Sequence, residues 1–287
     1  MTPVERFAPS PTGPLHLGHA FSALTAWRNA RAFGGRFLLR IEDIDRSRSR
    51  DDWETQIYDD LAWLGLDWER PVMRQSDRME AYRNALQDLW DQRLLYPCFC
   101  SRKDVAQAAS APQEGAPLIG PDGIVYPGTC RLTDGDRPAH MPDGVTLRLD
   151  MARAAQKLGD DAPLDFEETG DRFAGHHRFD ASELVTTVGD IVVARAGMGT
   201  SYHLSVVVDD AAQQITQVTR GEDLFDATRI HVLLQGLMGL PVPRYHHHRL
   251  IRDETGKRLA KRDDARAIAT YRVEGATPED VRAMVGL

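Results

Sequence analysis

The opening of the chain constrains its fold more than any other stretch, because it carries a strand, a sharp turn, a helix and a second strand in that order. Val4 to Phe7 is a short run that reads as a strand, and it meets the proline and glycine punctuation of Ala8-Pro9-Ser10-Pro11-Thr12-Gly13-Pro14. From Leu17 to Phe33, good helix formers set Ala20, Phe21, Leu24 and Trp27 on one face, and Gly34-Gly35 stops the helix. Arg36 to Ile41 then reads as a buried strand. Strand, crossover helix and strand in so short a length make a βαβ unit, so the expected fold class is α/β with a sheet that is parallel at its start.

Two amphipathic helices follow, about Asp51 to Leu64 and Asp77 to Leu94, the second with Asp77 as its expected N-cap. From Ser110 to Gly144 glycine, proline and aspartate replace periodicity, and the segment reads as a loop-rich insertion. Strand signals return at Val145 to Leu149, Asp190 to Ala194, Leu204 to Val208 and Ile215 to Val218. Helices are expected from Asp226 to Met238 and from Pro278 to Val285, the last capped by Thr277. This organisation divides the chain into a first half of a main domain (1–95), an inserted subdomain (96–185) and a second half (186–287).

Composition narrows the function. Forty-three acidic residues against 35 Lys plus Arg give a net charge of -8, which argues against a general polyanion binder; nucleic-acid contact has to be local. No uncharged apolar run is long enough to span a membrane, and the N-terminus has no export-signal order, so a cytoplasmic location is expected. The 3 cysteines cannot close a full disulfide framework and leave metal binding or simple burial open.

Two segments carry chemistry. His16 and His19 stand three residues apart where the proline-rich turn enters the first helix, so they share a face and can both donate to phosphate oxygens beside the helix's positive end. Gly18 between them gives room for a base or ribose. Alone, two histidines so spaced are as well explained by structure. Far along the chain, Gly256-Lys257-Arg258-Leu259-Ala260-Lys261-Arg262 is a basic loop suited to neutralising charge on a transferring phosphate, or a solvated basic stretch.

Together the two segments resemble the HIGH and KMSKS signatures of class I aminoacyl-tRNA synthetases, written here His16-Leu17-Gly18-His19 and Arg258-Leu259-Ala260-Lys261-Arg262, with Arg258 in place of the first lysine and Ala260 in place of serine. The resemblance implies an α/β, Rossmann-like catalytic domain binding ATP, with Mg2+, through His16, Gly18, His19, Arg258 and Lys261; His16, His19 and Lys261 would act on the reacting phosphates. Arg6-Phe7-Ala8-Pro9-Ser10-Pro11-Thr12-Gly13, Arg40-Ile41-Glu42-Asp43, Tyr202-His203-Leu204 and Thr219-Arg220-Gly221-Glu222-Asp223-Leu224 resemble glutamyl-tRNA synthetases in order and spacing. That likeness implies an L-glutamate site built from residues 6–10 (Arg6, Phe7, Ala8, Pro9 and Ser10) with Glu42, Tyr202 and Arg220. The chemistry agrees: Arg6 and Arg220 can clamp the side-chain carboxylate, Glu42 can pair with the ammonium, and Ser10 and Tyr202 can add neutral hydrogen bonds. For each charge the alternative is a surface or interdomain salt bridge.

Lys261 stands 26 residues before the last residue, so no anticodon-binding region of the kind a discriminating glutamyl-tRNA synthetase carries is expected after this loop. The chain is thus most similar to the shorter glutamyl-Q tRNA(Asp) synthetases. The likeness implies tRNA-independent activation of glutamate and transfer to the queuosine base at the wobble position of tRNA(Asp), with no obligate protein partner evident. Cys98-Phe99-Cys100 and Cys130 can supply three corners of a tetrahedral metal site, and the same likeness makes Tyr126 the fourth ligand of one structural Zn2+ in the inserted subdomain. Two rivals are a conventional glutamyl-tRNA synthetase catalytic fragment and a synthetase-like RNA-binding protein without catalysis. His246-His247-His248 is read as strand residues packing near the nucleotide loop, since alternation points neighbours to opposite faces.

Overall fold

The protein is described by a computed structural model covering residues 2–109, 118–159, 164–252 and 266–287. Strand β1 (Val4–Phe7) leads to helix α1 (Leu17–Ala32), which returns the chain as β2 (Arg36–Ile41), parallel to β1 with Arg6 beside Leu38. The Gly34-Gly35 stop is obligatory: a Cβ on Gly35 would lie 2.3 Å from the Pro3 carbonyl oxygen. Helix α2 (Asp51–Trp63) crosses to β3 (Glu69–Arg74), again parallel to β2. Strand β3 carries no strand signal in its residues because it is a mostly exposed edge strand interrupted by Pro71. A short 3-10 turn, Gln75–Arg78, precedes α3 (Met79–Asp91), so Arg78 rather than Asp77 occupies the cap position, without a side-chain cap bond.

The middle of the chain contributes β4 (Leu95–Cys98), α4 (Arg102–Ala109), a small hairpin of β5 (Ile119–Gly120) and β6 (Gly123–Ile124), then β7 (Thr146–Leu149) and α5 (Met151–Leu158). It continues through β8 (Leu164–Glu168), β9 (Gly175–Phe179), α6 (Glu183–Thr187) and β10 (Val192–Ala194). Strand β7 lies between β4 and β10 in an antiparallel sheet. The rest comprises α7 (Tyr202–Ala212), β11 (Gln217–Gly221), α8 (Thr228–Met238), β12 (Arg244–His248), α9 (Ile268–Val273) and α10 (Pro278–Val285). Strands β11, β12 and β8 run parallel, and β9 closes that sheet as an antiparallel edge.

One expected strand, Leu204 to Val208, is instead the middle of helix α7, seven of whose 11 residues are buried, Ser205, Asp209 and Asp210 among them. A helix that buries polar residues together with apolar ones loses the polar face that gives the 3.6-residue period, and its Val206-Val207-Val208 run then imitates a strand. Strand β2 is buried in the opposite sense: Phe37, Leu39 and Ile41 join the core under α1, whereas Leu38 joins the core under α7 and α8. Among the described residues no helix is long and apolar enough to cross a membrane.

The two parallel arrays abut. Thr216 donates its N–H to the Val4 carbonyl at 3.0 Å, and Val4 N–H donates to Thr216 Oγ1 at 2.8 Å, which sets β1 beside β11. Residues leaving the carboxyl ends of β1, β2, β11 and β12 consequently line one crevice, the place where open parallel sheets bind ligands.

On the α7 side of the sheet the even-numbered residues of β1 and β2 include two arginines, and buried guanidinium needs anionic partners. Asp210 of α7 accepts from Arg6 Nε at 2.9 Å and Nη2 at 3.2 Å, and from Arg40 Nη1 at 2.7 Å. Its neighbour Asp209 accepts from Arg78 at 2.8 Å, Gln75 at 2.9 Å and the Tyr82 hydroxyl at 2.7 Å. Asp210→Ala would strand two buried cations, and the expected loss in unfolding free energy is about 3–5 kcal/mol, checked by equilibrium urea denaturation.

Candidate active site

His16 is the N-cap of α1, in extended backbone conformation, and the two histidines cap the helix reciprocally. Gly18 N–H donates to His16 Nδ1 at 3.1 Å, and His16 N–H donates to His19 Nδ1 at 3.1 Å. An imidazole that accepts at Nδ1 carries its proton on Nε2 when neutral. Both rings, 3.8 Å apart between centroids, are thereby fixed as Nε2–H donors. The Gly18 amide is satisfied by His16, so the imidazoles, not that amide, supply donors here. Gly18 also has a nearer reason to be glycine than an approaching ribose, since a Cβ there would lie 3.0 Å from His16 Cε1.

Around these rings opens a cavity of about 360 Å³ to which Arg6, Phe7 and Ala8 contribute from the end of β1, Glu42 from the end of β2, Arg220 from β11 and Tyr202 from the start of α7. Ser10 lines an adjoining cavity of about 470 Å³ that shares Glu42 and Tyr202 with the first. Pro9 lines neither; its carbonyl accepts the Glu42 N–H at 3.0 Å and so holds the acid in place. Arg258 and Lys261 lie outside the described residues.

Both arginines are already partly engaged. Arg6 has Nε and Nη2 on Asp210. Arg220 donates from Nε to His247 Nε2 at 3.0 Å, from Nη1 to His231 Nδ1 at 3.0 Å, and from Nη2 to Thr228 Oγ1 at 2.7 Å and the Leu224 carbonyl at 3.2 Å. A ligand carboxylate would meet the remaining donors of two guanidinium groups whose orientation is already fixed. Burial lowers His231 well below the ordinary histidine range, reinforced by the Arg220 charge, and burial also lowers His247, so Arg220 is surrounded by neutral rings. Burial pushes the Glu42 carboxyl up, against the pull of Arg40 and Arg6. Burial likewise keeps Tyr202 a neutral phenol.

The sequence assigns no role to His231, Glu168, Asp210 or His203, although His203 stands inside the Tyr202-His203-Leu204 stretch. His231 lies in a helix recognised by its apolar residues alone, and Glu168 lies in β8, which carries no strand signal. The three consecutive histidines do alternate on β12. His247 hydrogen-bonds Glu168 and Arg220, while His248 reaches the cavity, where its Nε2 meets Ser22 Oγ at 2.5 Å.

The cysteines form a separate centre. The Cys98, Cys100 and Cys130 sulfurs lie within 4.8 Å of one another, and Tyr126 Oη is 3.5 Å from Cys98 Sγ and 3.3 Å from Cys100 Sγ. A tetrahedral ion with bonds of about 2.3 Å to sulfur and 2.0 Å to oxygen requires sulfur–oxygen separations of about 3.5 Å. The four donors therefore fit a metal. Burial raises the Tyr126 phenol in the absence of a cation, and two groups favour its anion: Cys130 N–H donates to the oxygen at 2.9 Å, and the Arg148 guanidinium lies 3.8 Å over the ring.

With the geometry in place, comparison assigns the class. The sequence matches the family described as tRNA synthetases class I (E and Q), catalytic domain, over residues 4–117 and 165–287. A glutamate-tRNA synthetase from Elizabethkingia anophelis superimposes with a TM-score of 0.75 at 26% identity, covering 100% of this chain and 61% of that one, so the chain spans about three-fifths of that solved structure. This is a class I tRNA synthetase catalytic domain and a ligase-type enzyme. Curated proteins named glutamyl-Q tRNA(Asp) synthetase match it more fully: that of Rhodobacter capsulatus is 62% identical over 99% of this chain and 100% of its own length, and that of Symbiobacterium thermophilum is 45% identical over 96% and 83%. The chain belongs to the glutamyl-Q tRNA(Asp) synthetase family.

Proposed function

We propose that this enzyme uses ATP to convert L-glutamate to glutamyl-adenylate without tRNA, and then passes the glutamyl group to the queuosine base at the wobble position of tRNA(Asp), in the cytoplasm. The observation that carries the reading is the single cavity joining two Nε2–H imidazoles to opposite charges, Arg6 and Arg220 against Glu42, at the ends of β1, β2 and β11. The names of the full-length relatives support the acceptor.

In this reading His16 and His19 donate to the ATP phosphates, and Lys261, with Arg258, neutralises charge as pyrophosphate departs with Mg2+. A glutamate carboxylate oxygen attacks the α-phosphorus, the bond from that phosphorus to the bridging oxygen breaks, and no protein nucleophile is needed. Arg6 and Arg220 face the side-chain carboxylate, Glu42 the ammonium, and Ser10 and Tyr202 add neutral hydrogen bonds. Glu42, raised by burial and already paired with Arg40, gains a second cationic partner when the ammonium enters. Cys98, Cys100, Tyr126 and Cys130 would hold one structural Zn2+, pinning the inserted segment. When bound, that ion supplies a cross-link rather than an open catalytic position.

Glutamate-dependent ATP–pyrophosphate exchange in the absence of RNA is the expected result; no exchange, or exchange that requires tRNA(Glu), overturns the proposal. Offered queuosine-containing tRNA(Asp), unmodified tRNA(Asp) and tRNA(Glu), the enzyme should load glutamate on the first alone. The ammonium pairs with the Glu42 carboxylate, so the KM for glutamate should be lowest above the raised Glu42 pKa and climb as pH falls through it. Glu42→Gln should raise that KM by about a hundredfold and remove the acid limb, as measured by exchange kinetics across pH. Elemental analysis should find one zinc per native chain, and Cys130→Ala should lose it together with several degrees of thermal stability, read by calorimetry.

A further inference from the structure

Arg220 stands at the meeting point of two hydrogen-bond chains whose direction is forced at every link. A guanidinium can only donate, so His231 Nδ1, 3.0 Å from Arg220 Nη1, must accept, and the His231 proton is on Nε2. His231 Nε2 is 3.1 Å from His203 Nδ1, which must accept in turn, leaving the His203 proton on Nε2. That nitrogen lies 3.3 Å from Asp122 Oδ1, and a carboxylate can only accept. The second arm runs from Arg220 Nε to His247 Nε2 at 3.0 Å and from His247 Nδ1 to Glu168. Glu168 is further fixed by the His247 and Gly170 amides at 2.8 and 2.6 Å.

The arms differ in where they end. Glu168 is enclosed within the sheet, whereas Asp122 lies in the turn between β5 and β6, with a third of its side chain exposed (34%). Asp122 lines both the cavity shared by Glu42 and Tyr202 and a neighbouring one of about 580 Å³ that includes Tyr126 and Arg148 of the cysteine centre. The Tyr202 ring packs on the same imidazoles, with centroids 5.6 Å from His203 and 5.7 Å from His231. Burial would raise Asp122, but the His203 hydrogen bond, with Arg195 and Arg148 nearby, holds it below the usual carboxylate range, so the anion that terminates the chain is present at neutral pH.

We propose that Asp122, His203 and His231 form a directional relay that positions the Arg220 guanidinium and the Tyr202 ring for the glutamate side chain, so that the β5–β6 turn helps set amino-acid affinity. Asp122 is a positioning residue; it acts through the two histidines. The inference rests on Arg220 binding glutamate, as argued above. It implies that a carboxylate near the mouth of the site reports to the amino-acid pocket through two tautomer-locked rings.

The test uses the full chain with Asp122→Ala and the conservative Asp122→Asn, whose amide oxygen can still accept from His203. Asp122→Ala is expected to raise the KM for glutamate in ATP–pyrophosphate exchange about tenfold, with kcat and the KM for ATP within about twofold of the parent, and Asp122→Asn to recover most of the loss. A glutamate KM unchanged in Asp122→Ala, or a parallel loss in all three constants, overturns the proposal. Long-range proton–nitrogen spectra of histidine-labelled enzyme give a second readout: His203 and His231 should be protonated on Nε2 and His247 on Nδ1. A proton on His231 Nδ1 overturns the relay whatever the kinetics. An enzyme showing the expected tautomers but no glutamate-dependent exchange overturns the activation reading, and with it this purpose of the relay, which separates that failure from failure of the relay itself.

Discussion

Two adjacent carboxylates on one buried helix tie the molecule together. Asp209 and Asp210 enter the interior on α7 and meet cationic or hydrogen-bonding groups from β1, β2 and the start of α3, which are remote in sequence. An ion cluster this deep gains little net stability over a well-packed apolar alternative, because desolvation offsets most of the attraction. Its physical effect is geometric. Among the described residues Arg6 pairs with Asp210, and Arg40 with Asp210, Glu42 and Asp209, which ties β1 and β2 to α7 in the register observed. That register brings Glu42 and Arg6 to the cavity.

The site then follows from limited choice among neutral imidazoles. His16 and His19 cap their own helix, and the same bonds decide which nitrogen of each ring carries hydrogen. Around Arg220 the reasoning runs the other way: a group that is always charged and always donates imposes the tautomers of His231 and His247. Burial reinforces both, since charging either ring would place a second cation beside the guanidinium. The pocket thus keeps one sign of charge at Arg6 and Arg220 and the opposite sign at Glu42, without imidazolium to blur the distinction.

What the sequence made legible was whatever local chemistry dictates. The βαβ opening, the glycine stop, the Thr277 cap and the cysteine spacing each leave a signature within a few residues, and the structure has each feature where the reading put it. The losses have physical causes. Helix α7 buries polar residues together with apolar ones and so has no clear polar face to advertise its period, and its valine run imitates a strand. Edge strand β3 is too exposed and too broken by proline to register. Arg6, Glu42, Tyr202 and Arg220 were visible as a set through resemblance, but their partners were not. Asp210, His231 and Glu168 matter through contacts made across 204, 11 and 79 residues, and only the folded chain brings those together.

The insertion deserves the same treatment as the sheet it interrupts. The family match leaves out residues 118–164, a segment that includes Tyr126, Cys130 and Asp122. In space it is no appendage: β7 from this stretch is the central strand between β4 and β10, and Asp122 closes a hydrogen-bond chain that begins at Arg220. The β8–β9 hairpin that follows joins β12 in the parallel array, so the chain re-enters the main sheet before the second half of the site is built. A segment anchored at both ends in this way can change what approaches the mouth of the crevice while leaving the strands beneath it in register. Variation in such a segment is therefore a route by which a common crevice can be matched to a different partner without rebuilding the sheet.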